Sequence, residues 1–516
     1  MFMTVGDIVR QQARINARKV GLVDDDKEFT YKEINERTSR LGNALVNLGL
    51  TKADRVAIIA DNCHEFVEAY FATAKTGLTI VPLNTRLSAS EVVFHLNHSE
   101  SAVLIYKADF EDVVRKVTPD LGTVRHFVRI GPPQNGVVSY EAVIRQAAPE
   151  DPMIPVGADD VFMIMYTSGT TGSAKGVIST HRNIMAATNL MTIETRVVPE
   201  DVNLLVMPLF HSGGLWPTLC HFYRGAQTII LPRFDEKKVM QMVEERKITF
   251  LNLVPTTLRR MISHPDLGKH DLSSLRFIMY ASAPIPLVQL REAMSILGPH
   301  RFFTGLGATE SAAGGMLMFT TSEHAQALDG PLKDKLGSVG REAIGVEVKI
   351  VNELGEEVSD GEVGEIVAKG AHVSSGYLKM HEETAKTFKG GWLHTGDLAY
   401  RDDDGYVFIV GRKKDIIISG GENVSGLEVE DTICQHPAVE DVAVIGVPDE
   451  TWGETVKAVV VLKPDQVSRI TEQEVIGFCR QRLAAFKTPK SVVFVTELPK
   501  NATGKIIKNE LKRRYN

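Results

Sequence analysis

The stretch that decides the fold is Tyr166-Thr-Ser-Gly-Thr-Thr-Gly-Ser-Ala-Lys-Gly176, a loop rich in glycines and hydroxyls that is closed by Lys175. The apolar run Val161-Phe-Met-Ile-Met165 precedes it and predicts a buried strand. Residues 177–189 follow it, and we expect them to open as a helix. Backbone N–H groups of glycines, hydroxyls and a lysine are the groups that cradle phosphates. The order of strand, loop and returning chain therefore favours a phosphate-binding loop over a solvated polar loop.

This loop differs from the Walker A loop of P-loop nucleotide hydrolases. The spacing Gly169-x-x-Gly172-x-x-Lys175 is too short for that motif. Gly176 also stands where a magnesium-binding serine or threonine would follow the lysine. The sequence therefore excludes the P-loop class.

Composition sets the protein class. At 516 residues the chain can bury more than one core and predicts about three domains or subdomains. Its 43% apolar and 24% charged residues are ordinary for a globular protein. No segment approaches 18 uninterrupted apolar residues, and the N-terminus reads as an amphipathic helix, so we expect neither a membrane span nor a secretory signal.

Net charge and cysteine content limit the classes of binding partner and the cellular compartment that we expect. The net charge of −7 argues against nucleic-acid binding, so local donors must hold any anionic ligand. The cysteines lie too far apart in sequence for a metal or redox pair, and we expect buried free thiols and a cytoplasmic location. They are Cys63, Cys220, Cys434 and Cys479.

The apolar pattern predicts an α/β fold with a large N-terminal and a smaller C-terminal domain. Short apolar strands alternate with helical segments over residues 1–150 and again to about residue 280, which indicates two α/β subdomains with mostly parallel sheets. The predicted strands are 54–60, 78–83, 203–207, 228–231, 249–254 and 277–280.

The texture changes near residue 335. Alternating strands at 337–340, 346–351, 364–369 and 406–410 predict a small antiparallel sheet or β-barrel. Beyond Gly411, a helix at 427–433, strands at 442–445 and 458–462, and a second helix capped by Thr471 and Glu474 predict an α+β domain. We expect an N-terminal domain of residues 1–411 and a mobile C-terminal domain of residues 412–516.

Four further stretches are richer in polar and glycine residues than a scaffold requires. Taken singly, each is as compatible with a turn as with a site. They are Gly305-Leu-Gly-Ala-Thr-Glu310, Trp392-Leu-His-Thr-Gly-Asp397, Gly411-Arg-Lys-Lys-Asp-Ile-Ile-Ile-Ser-Gly-Gly-Glu-Asn423 and Leu498-Pro-Lys-Asn-Ala-Thr-Gly-Lys505. In this order after the loop, they resemble the acyl-adenylate-forming superfamily of acyl-CoA synthetases, luciferases and peptide-synthetase adenylation domains. The resemblance runs from Phe29 to Lys505.

The resemblance implies a nucleotide site. The loop would hold the β,γ-phosphates of ATP and release pyrophosphate, through Thr167, Ser168, Gly169, Thr170, Thr171, Gly172 and Lys175. Glu310 would bind Mg²⁺, and Thr309 would contact the α-phosphate. Asp397 would accept hydrogen bonds from the ribose, with Arg412 as a donor beside it. The adenine slot would be lined by Ser282, Ala283, Pro284, Gly305, Leu306, Gly307 and Ala308.

It also implies a moving C-terminal domain. Lys505 would bridge the attacking carboxylate, the α-phosphate and the ribose, although a lysine in a basic C-terminus is usually a solvated charge. Lys414 falls at the family hinge. The other face of the domain would bring the Gly420-Gly421 turn to the CoA arm, where a side chain on Gly421 would block the tunnel. The alternative for Gly421 is a simple glycine turn.

The substrate pocket is the least specified part. His211, Tyr280 and Gly305 are the implied substrate residues, and His211 is expected to line the acyl pocket rather than to act as a general base. The chain departs from the family at Ala174, where a proline is usual, and at Leu306, where an aromatic is usual. The second departure leaves adenine to an aliphatic face or to Tyr280. Small apolar stretches around these positions favour an aliphatic or aryl acid over a charged one.

The predicted function is an AMP-forming acyl-CoA ligase that uses a small-molecule carboxylic acid, ATP, Mg²⁺ and CoA. The alternatives are a ligase that loads a carrier-protein thiol, a luciferase-like oxygenase, and a non-catalytic nucleotide sensor. The sensor is disfavoured because both Glu310 and Lys505 are present. A chain that ends soon after Lys505, without a carrier domain, favours CoA. The identity of the acid and the oligomeric state, including a homodimer, stay open.

Overall fold

The computed structural model describes residues 2–134, 137–167, 174–312, 314–467, 469–501 and 505–515. The predicted loop residues Ser168, Gly169, Thr170, Thr171 and Gly172 lie outside this part of the chain. Within it, no helix combines the length and the apolarity that crossing a membrane requires.

Helices and strands alternate over the first part of the chain, as the apolar pattern predicts. The helices are α1 (Val5–Ile15), α2 (Tyr31–Asn47), α3 (His64–Thr76), α4 (Ala89–His98), α5 (Glu111–Val117) and α6 (Tyr140–Gln146). The strands are β1 (Val20–Asp24), β2 (Lys27–Thr30), β3 (Arg55–Ile59), β4 (Thr79–Pro82), β5 (Ser101–Lys107), β6 (His126–Ile130) and β7 (Val138–Ser139).

The alternation continues through the middle of the chain. The strands are β8 (Val161–Thr167), β9 (Lys175–Thr180), β10 (Val202–Leu205), β11 (Gln227–Ile230), β12 (Phe250–Leu253), β13 (Phe277–Tyr280), β14 (Phe302–Gly307), β15 (Gly315–Phe319) and β16 (Arg341–Glu342). The helices are α7 (His181–Glu194), α8 (Ser212–Arg224), α9 (Glu236–Arg246), α10 (Pro255–Ile262), α11 (Leu287–Leu297) and α12 (Thr321–Ala327).

The remaining elements are mostly antiparallel. The strands are β17 (Glu347–Val351), β18 (Gly364–Lys369), β19 (Gly376–Tyr377), β20 (Leu393–Arg401), β21 (Val407–Arg412), β22 (Ile417–Ser419), β23 (Glu422–Val424), β24 (Val439–Asp449), β25 (Gly453–Leu462) and β26 (Ser491–Val495). The helices are α13 (His381–Thr387), α14 (Gly426–Cys434), α15 (Glu472–Arg480) and α16 (Lys508–Tyr515).

Two large sheets form the N-terminal domain. The strand order of sheet I is β19-β9-β8-β4-β3-β5-β6-β7, and that of sheet II is β16-β15-β14-β13-β12-β10-β11-β1-β2. The central strands of both sheets pair in parallel, which confirms the predicted α/β architecture. The chain crosses between the sheets, since the first hairpin joins sheet II while β8 and β9 join sheet I. The two subdomains are therefore not contiguous in sequence.

Helix α3 lies between the two sheets. All of its residues are buried, as expected of a helix that meets protein on every side. Its Phe66 and Phe71 belong to one core cluster that also contains Ile80 of sheet I and Leu205 of sheet II. The Tyr70 hydroxyl donates to the carbonyl of Leu209 at 2.7 Å. This shared core fixes the position of one sheet against the other.

The expected helix over residues 177–189 is wrong in its first turn. Residues Lys175–Thr180 form β9, which pairs antiparallel with β8, and α7 begins at His181. The β-branched Val177 and Ile178 suit a strand. Thr180 is the N-cap of α7, and its side chain accepts from the backbone N–H of Asn183.

The predicted antiparallel region forms sheet III, with strand order β17-β18-β20-β21. Its closure into a barrel stays a prediction. The strand expected at 337–340 is wrong: Gly337 and Ser338 lie in a turn and a bend, and the following two residues are coil that makes backbone hydrogen bonds with Val407. Gly340 has a φ of +89°, and a Cβ there would lie 1.8 Å from the carbonyl oxygen of Met318. The close approach requires glycine at this position, and its left-handed backbone interrupts the extended chain, so regular pairing begins at Arg341 of β16.

Sheet IV forms the smaller C-terminal domain. Its order is β23-β22-β25-β24, and β26 pairs with β25 in parallel. Helices α14 and α15 pack on one face, where Val429 and Val475 join the core with Val460. The capping box of α15 is confirmed, because the N–H of Thr471 donates to Glu474 at 2.7 Å. An α+β domain therefore follows the two α/β subdomains, as predicted.

Candidate active site

The β8–β9 hairpin positions the predicted phosphate loop. Thr167 and Lys175 are register partners at its mouth, so the chain leaves and re-enters sheet I at one place. Lys175 is 8% exposed, and its Nζ lies 2.5 Å from Glu383 Oε2 on α13. The same ammonium group lies 5.1 Å from the ring centroid of Tyr377. These two contacts hold the Lys175 side chain in place at the mouth of the hairpin.

Glu310 lies beside this hairpin in a 3₁₀ turn, Thr309–Ser311. Tyr377 donates its hydroxyl to Glu310 Oε1 at 2.7 Å, and the N–H of Ser374 donates to the Glu310 carbonyl at 2.8 Å. Among the described residues, no hydrogen bond to Oε2 is found. A half-exposed carboxylate with one oxygen held and one open fits a hard divalent cation such as Mg²⁺.

Asp397 and Arg412 face each other across sheet III. They are register partners of β20 and β21, and Arg412 Nε lies 2.8 Å from Asp397 Oδ1. Burial of Asp397, which is 6% exposed, raises the pKa of its carboxyl above the ordinary value, while the charge of Arg412 acts in the opposite direction. The predicted pair of a ribose acceptor and a neighbouring donor is therefore assembled.

Lys505 lies at the meeting of the two domains. Its backbone N–H donates to Asn501 Oδ1 at 2.9 Å, and Arg86 of the N-terminal domain donates to the Asn501 carbonyl at 3.2 Å. The residue is exposed, and nearby protein atoms partly desolvate its ammonium group. This desolvation, together with the charge of Arg412, lowers the pKa of Lys505 to about 8. The lysine, Asp397, Arg412 and His211 form one electrostatic group.

His211 is the N-cap of α8. Its Nδ1 accepts the N–H of Gly213 at 3.2 Å, which places the proton of a neutral imidazole on Nε2. Burial, and then the charge of Lys505, lowers its pKa to about 4. The ring is therefore neutral near pH 7 and offers a hydrogen-bond donor, in keeping with the predicted substrate role.

Gly305 lies against the side chain of Met318. A Cβ on Gly305 would lie 2.4 Å from the carbonyl oxygen of Leu317 and 2.7 Å from Met318 Sδ. Leu306 and Ala308 pack in the same apolar cluster as Met318 and Trp216. The wall formed on this side of β14 is apolar.

The turn after β13 holds the other predicted adenine residues. Ser282 has a φ of +73°, a left-handed conformation that is strained for a residue with a Cβ, and Ala283 and Pro284 follow it. A Cβ on Gly307 would lie 2.9 Å from the carbonyl oxygen of Gly314, so this backbone approach admits no side chain.

Tyr280 is placed differently from the other predicted substrate residues. It is 4% exposed, and its hydroxyl lies 2.9 Å from His324 Nε2 inside the core. Successive residues of a strand point to opposite faces. Met279 packs with the cluster of Leu306, whereas Tyr280 packs in the core on the other face of sheet II. The structure therefore does not bring Tyr280 to the apolar wall beside Gly305.

The predicted hinge and turn lie in the C-terminal segment. Lys414 lies in a 3₁₀ turn after β21, and burial lowers its pKa. Gly420 and Gly421 connect β22 to β23 with φ values of +62° and +86°. A Cβ on Gly421 meets nothing within 4 Å, so its left-handed backbone is what favours glycine in this conformation.

Sequence reasoning missed Tyr377, Glu383 and Met318. Each touches a predicted site residue. Tyr377 directly follows Ser374-Ser375-Gly376, a local signal of glycine and hydroxyl content, whereas Glu383 stands in an ordinary charged segment and Met318 in an apolar one. Their contacts with the site are visible only in the folded structure. For example, Lys175 and Glu383 are 208 positions apart in the sequence.

The assembled groups suit a polyanionic ligand. Lys175 and Lys505 supply positive charge at two ends, Arg412 and Asp397 supply a donor and an acceptor, and Glu310 offers a metal ligand. This combination can bind a nucleoside triphosphate and stabilise charge that develops on its phosphates.

Comparison with known proteins agrees with this geometry. A family model described as "AMP-binding enzyme" matches residues 9–378, and one described as "AMP-binding enzyme C-terminal domain" matches residues 428–505. The chain is 37% identical to the long-chain-fatty-acid–CoA ligase FadD13 of Mycobacterium tuberculosis, over 99% of this chain and 98% of that protein. It is also 37% identical to a feruloyl-CoA synthase of an Amycolatopsis species, over 98% of each.

Solved structures show the same architecture. The anthranilate CoA ligase AuaEII in complex with anthranoyl-AMP superposes with a TM-score of 0.91 at 30% identity, over 99% of this chain and 97% of that one. ATP-bound MatB from Rhodopseudomonas palustris superposes with a TM-score of 0.88 at 31% identity, over 99% of each.

Proposed function

Since the chain belongs to the AMP-binding enzymes and is an AMP-forming acyl-CoA ligase, we propose that it acts on a neutral, apolar carboxylic acid, aliphatic or aromatic. The acid carboxylate attacks the α-phosphorus of ATP, and the bond to pyrophosphate breaks. The thiolate of CoA then attacks the acyl carbon of the acyl-AMP, and AMP leaves. The thiol proton passes to solvent.

The observation that carries this proposal is the grouping of Lys505 with Asp397, Arg412 and His211. It brings a cation of the C-terminal domain to the predicted ribose pair and to the acyl-pocket histidine. A single flexible ammonium group suits a reaction in which negative charge moves from the carboxylate to the phosphate. This grouping supports a role for Lys505 in the adenylation step.

Residues on the other side would handle the pyrophosphate. Lys175, with Thr167 and the adjoining loop, would bind the β,γ-phosphates, while Thr309 would contact the α-phosphate. A magnesium ion held by Glu310 would offset the negative charge on the leaving pyrophosphate. Adenine would lie between the 282–284 turn and the 305–308 segment.

The second step would use another face of the C-terminal domain. Residues 412–516 would rotate about Lys414 relative to residues 1–411, and the turn at Gly421 would then face the CoA arm. The contact of Arg259 with the carboxylate and the carbonyl of Glu440 joins the domains in the present arrangement. It would have to break for this rotation.

The apolar wall beside Gly305 supports the proposed class of acid. Met318, Trp216, Leu306 and Ala308 present apolar atoms, and the neutral His211 adds one donor rather than a charge. If the acyl group lies against this wall, its apolar atoms would favour an uncharged acyl group. The relatives that act on long-chain fatty acids and on ferulate are consistent with this range.

The test is mass-spectrometric detection of acyl-CoA and AMP over short, medium, long-chain and aromatic acids, with dicarboxylic acids as the charged comparison. We expect acyl-CoA from a neutral acid and little from the dicarboxylates. Preference for a dicarboxylate would contradict the acid class. Acyl transfer to a carrier protein but not to CoA would support the carrier-loading alternative.

The adenylation assignment is tested by Lys505→Ala. We expect ATP–pyrophosphate exchange to fall by about 10²–10³, the usual cost of removing one preorganised charge partner, while CoA thioester formation from supplied acyl-AMP persists. Arg513→Ala, an exposed charge on α16, is the control. Equal loss of both steps would contradict a role confined to adenylation.

A further inference from the structure

Tyr377 occupies a junction that the proposed function leaves unassigned. It lies on β19 and pairs with Val177 of β9, the strand that returns from the phosphate loop. Its N–H donates to Thr384 Oγ1 at 3.0 Å, and the residue is 7% exposed. Both the backbone and the ring are therefore fixed relative to the hairpin and to α13.

The hydroxyl of Tyr377 acts on Glu310. Its hydrogen bond of 2.7 Å holds Oε1 and so limits rotation of the carboxylate. A carboxylate that binds a metal through one oxygen is commonly oriented by a hydrogen bond to the other. The geometry at Glu310 has this form, since Oε2 accepts no hydrogen bond from the part of the chain that the structure describes and could bind a cation.

The ring of the same tyrosine acts on Lys175. The Lys175 Nζ lies 5.1 Å from the ring centroid and 2.5 Å from Glu383 Oε2. An ammonium group over an aromatic face is attracted by the ring quadrupole. One side chain therefore contacts both the predicted metal ligand and the predicted phosphate-binding lysine.

We propose that Tyr377 is a positioning residue that orients the Glu310 carboxylate for the magnesium ion of MgATP and sets its distance from Lys175. This inference rests on the proposed function, in which Glu310 binds the metal and Lys175 binds the terminal phosphates. Tyr377 itself touches neither reacting bond. Its effect is to present the cation and the ammonium group to one pyrophosphate at a fixed separation.

The test is Tyr377→Phe, which removes the hydroxyl and keeps the ring, its contact with Lys175 and its edge contact with Phe388 at 5.7 Å. Binding of Mn²⁺ in the presence of ATP is measured by electron paramagnetic resonance on the full-length protein, independently of turnover. We expect affinity for Mn²⁺ to fall by about 10- to 100-fold, the range for loss of a partner that orients a metal ligand. The Mg²⁺ concentration for half-maximal pyrophosphate exchange should rise in parallel, with an unchanged KM for the acid.

Two further variants serve as controls for this measurement. Tyr406→Phe is the matched control, because the Tyr406 hydroxyl donates to Glu323 Oε1 at 3.0 Å in the core, outside the proposed site. Glu310→Gln reports the full loss of the proposed metal ligand. If Glu310→Gln loses Mn²⁺ while Tyr377→Phe binds it as wild type does, the inference about Tyr377 is overturned and the proposed function stands. If pyrophosphate exchange by the wild type needs no divalent cation, the magnesium assignment fails and the Tyr377 inference falls with it.

Discussion

At the scale of single residues, Lys505 combines solvent access with a lowered pKa. The ordinary lysine value is 10.5, and desolvation together with the charge of Arg412 brings it to about 8. A lowered pKa means that the ammonium group loses its proton earlier as pH rises. We therefore expect kcat/KM for adenylation, which reports the free enzyme, to decline through about pH 8. Measurement of pyrophosphate exchange from pH 6.5 to 10 checks this.

Lys505→Arg is the informative comparison, since a guanidinium keeps its charge over this range. Whatever activity that variant retains should lack the decline near pH 8. A decline of the same shape in both proteins would assign the titration to another group.

The residues that could be predicted from sequence are those in unusual local contexts. Asp397, Arg412 and Lys505 each stand in a stretch rich in glycine or charge, and the structure brings them together. Glu383 and Met318 stand in ordinary surroundings, so only the fold reveals that they touch Lys175 and Gly305. Tyr280 shows the opposite case: its place in sequence beside the adenine turn predicts a substrate residue, but strand alternation directs its side chain into the core.

At the scale of elements, a substitution in the β22–β23 turn is predicted to affect one half-reaction and not the other. Gly421→Leu has space for its side chain in the present arrangement, so adenylation should stay within about twofold of wild type. We expect thioester formation from acyl-AMP to fall at least about tenfold, equivalent to ~1.4 kcal/mol in the barrier, because the side chain would obstruct the CoA arm. Separate assays of the two half-reactions check this.

A non-glycine residue at positive φ brings strain of its own, and the control must share it. Gly355 has a φ of +85° and equally open surroundings in a turn of sheet III. Gly355→Leu should leave both half-reactions intact. A thioester defect of similar size in both variants would attribute the effect of Gly421→Leu to backbone strain.

Most helices and strands could be predicted because the spacing of apolar residues and the capping residues are local features of the sequence. The errors occurred in segments whose secondary structure depends on a contact with a distant part of the chain. Residues 177–180 are a strand because they pair with β8. Residues 337–340 are not one because Gly340 adopts a left-handed backbone where it approaches Met318. Neither partner lies within a few residues of the segment it constrains.

At the scale of the whole molecule, buried histidines predict an acid limit to stability. Burial lowers the pKa of a set of described histidines from 6.5 to about 4: His95, His181, His211, His221, His324 and His372. Between these values the unfolded chain binds more protons than the folded one. The stability they contribute is therefore complete above about pH 6.5 and is lost as pH falls toward 4.

Thermal unfolding between pH 7 and 4 checks this, and we expect Tm to fall across that window. Carboxylates also contribute to acid unfolding, so a variant must separate the two. His221 is fully buried, and its Nε2 has no hydrogen-bond partner among the described residues. His221→Leu should flatten the acid slope, since each pKa unit corresponds to about 1.4 kcal/mol. An unchanged slope would assign the acid limit to the carboxylates.

The crossing of the chain between sheets I and II has a consequence for the order in which the protein folds. Strand β1 pairs with β11, which lies about two hundred residues later in the chain, and sheet I stays unfinished until β8 and β9 exist. Pairings of such long range close slowly because their loop entropy is lost before contacts form. During synthesis on a ribosome, the β1–β2 hairpin would therefore lack its partner strand β11 until much of the N-terminal domain has been made. The enzyme is therefore expected to depend on chaperones during synthesis more than a fold of contiguous subdomains would.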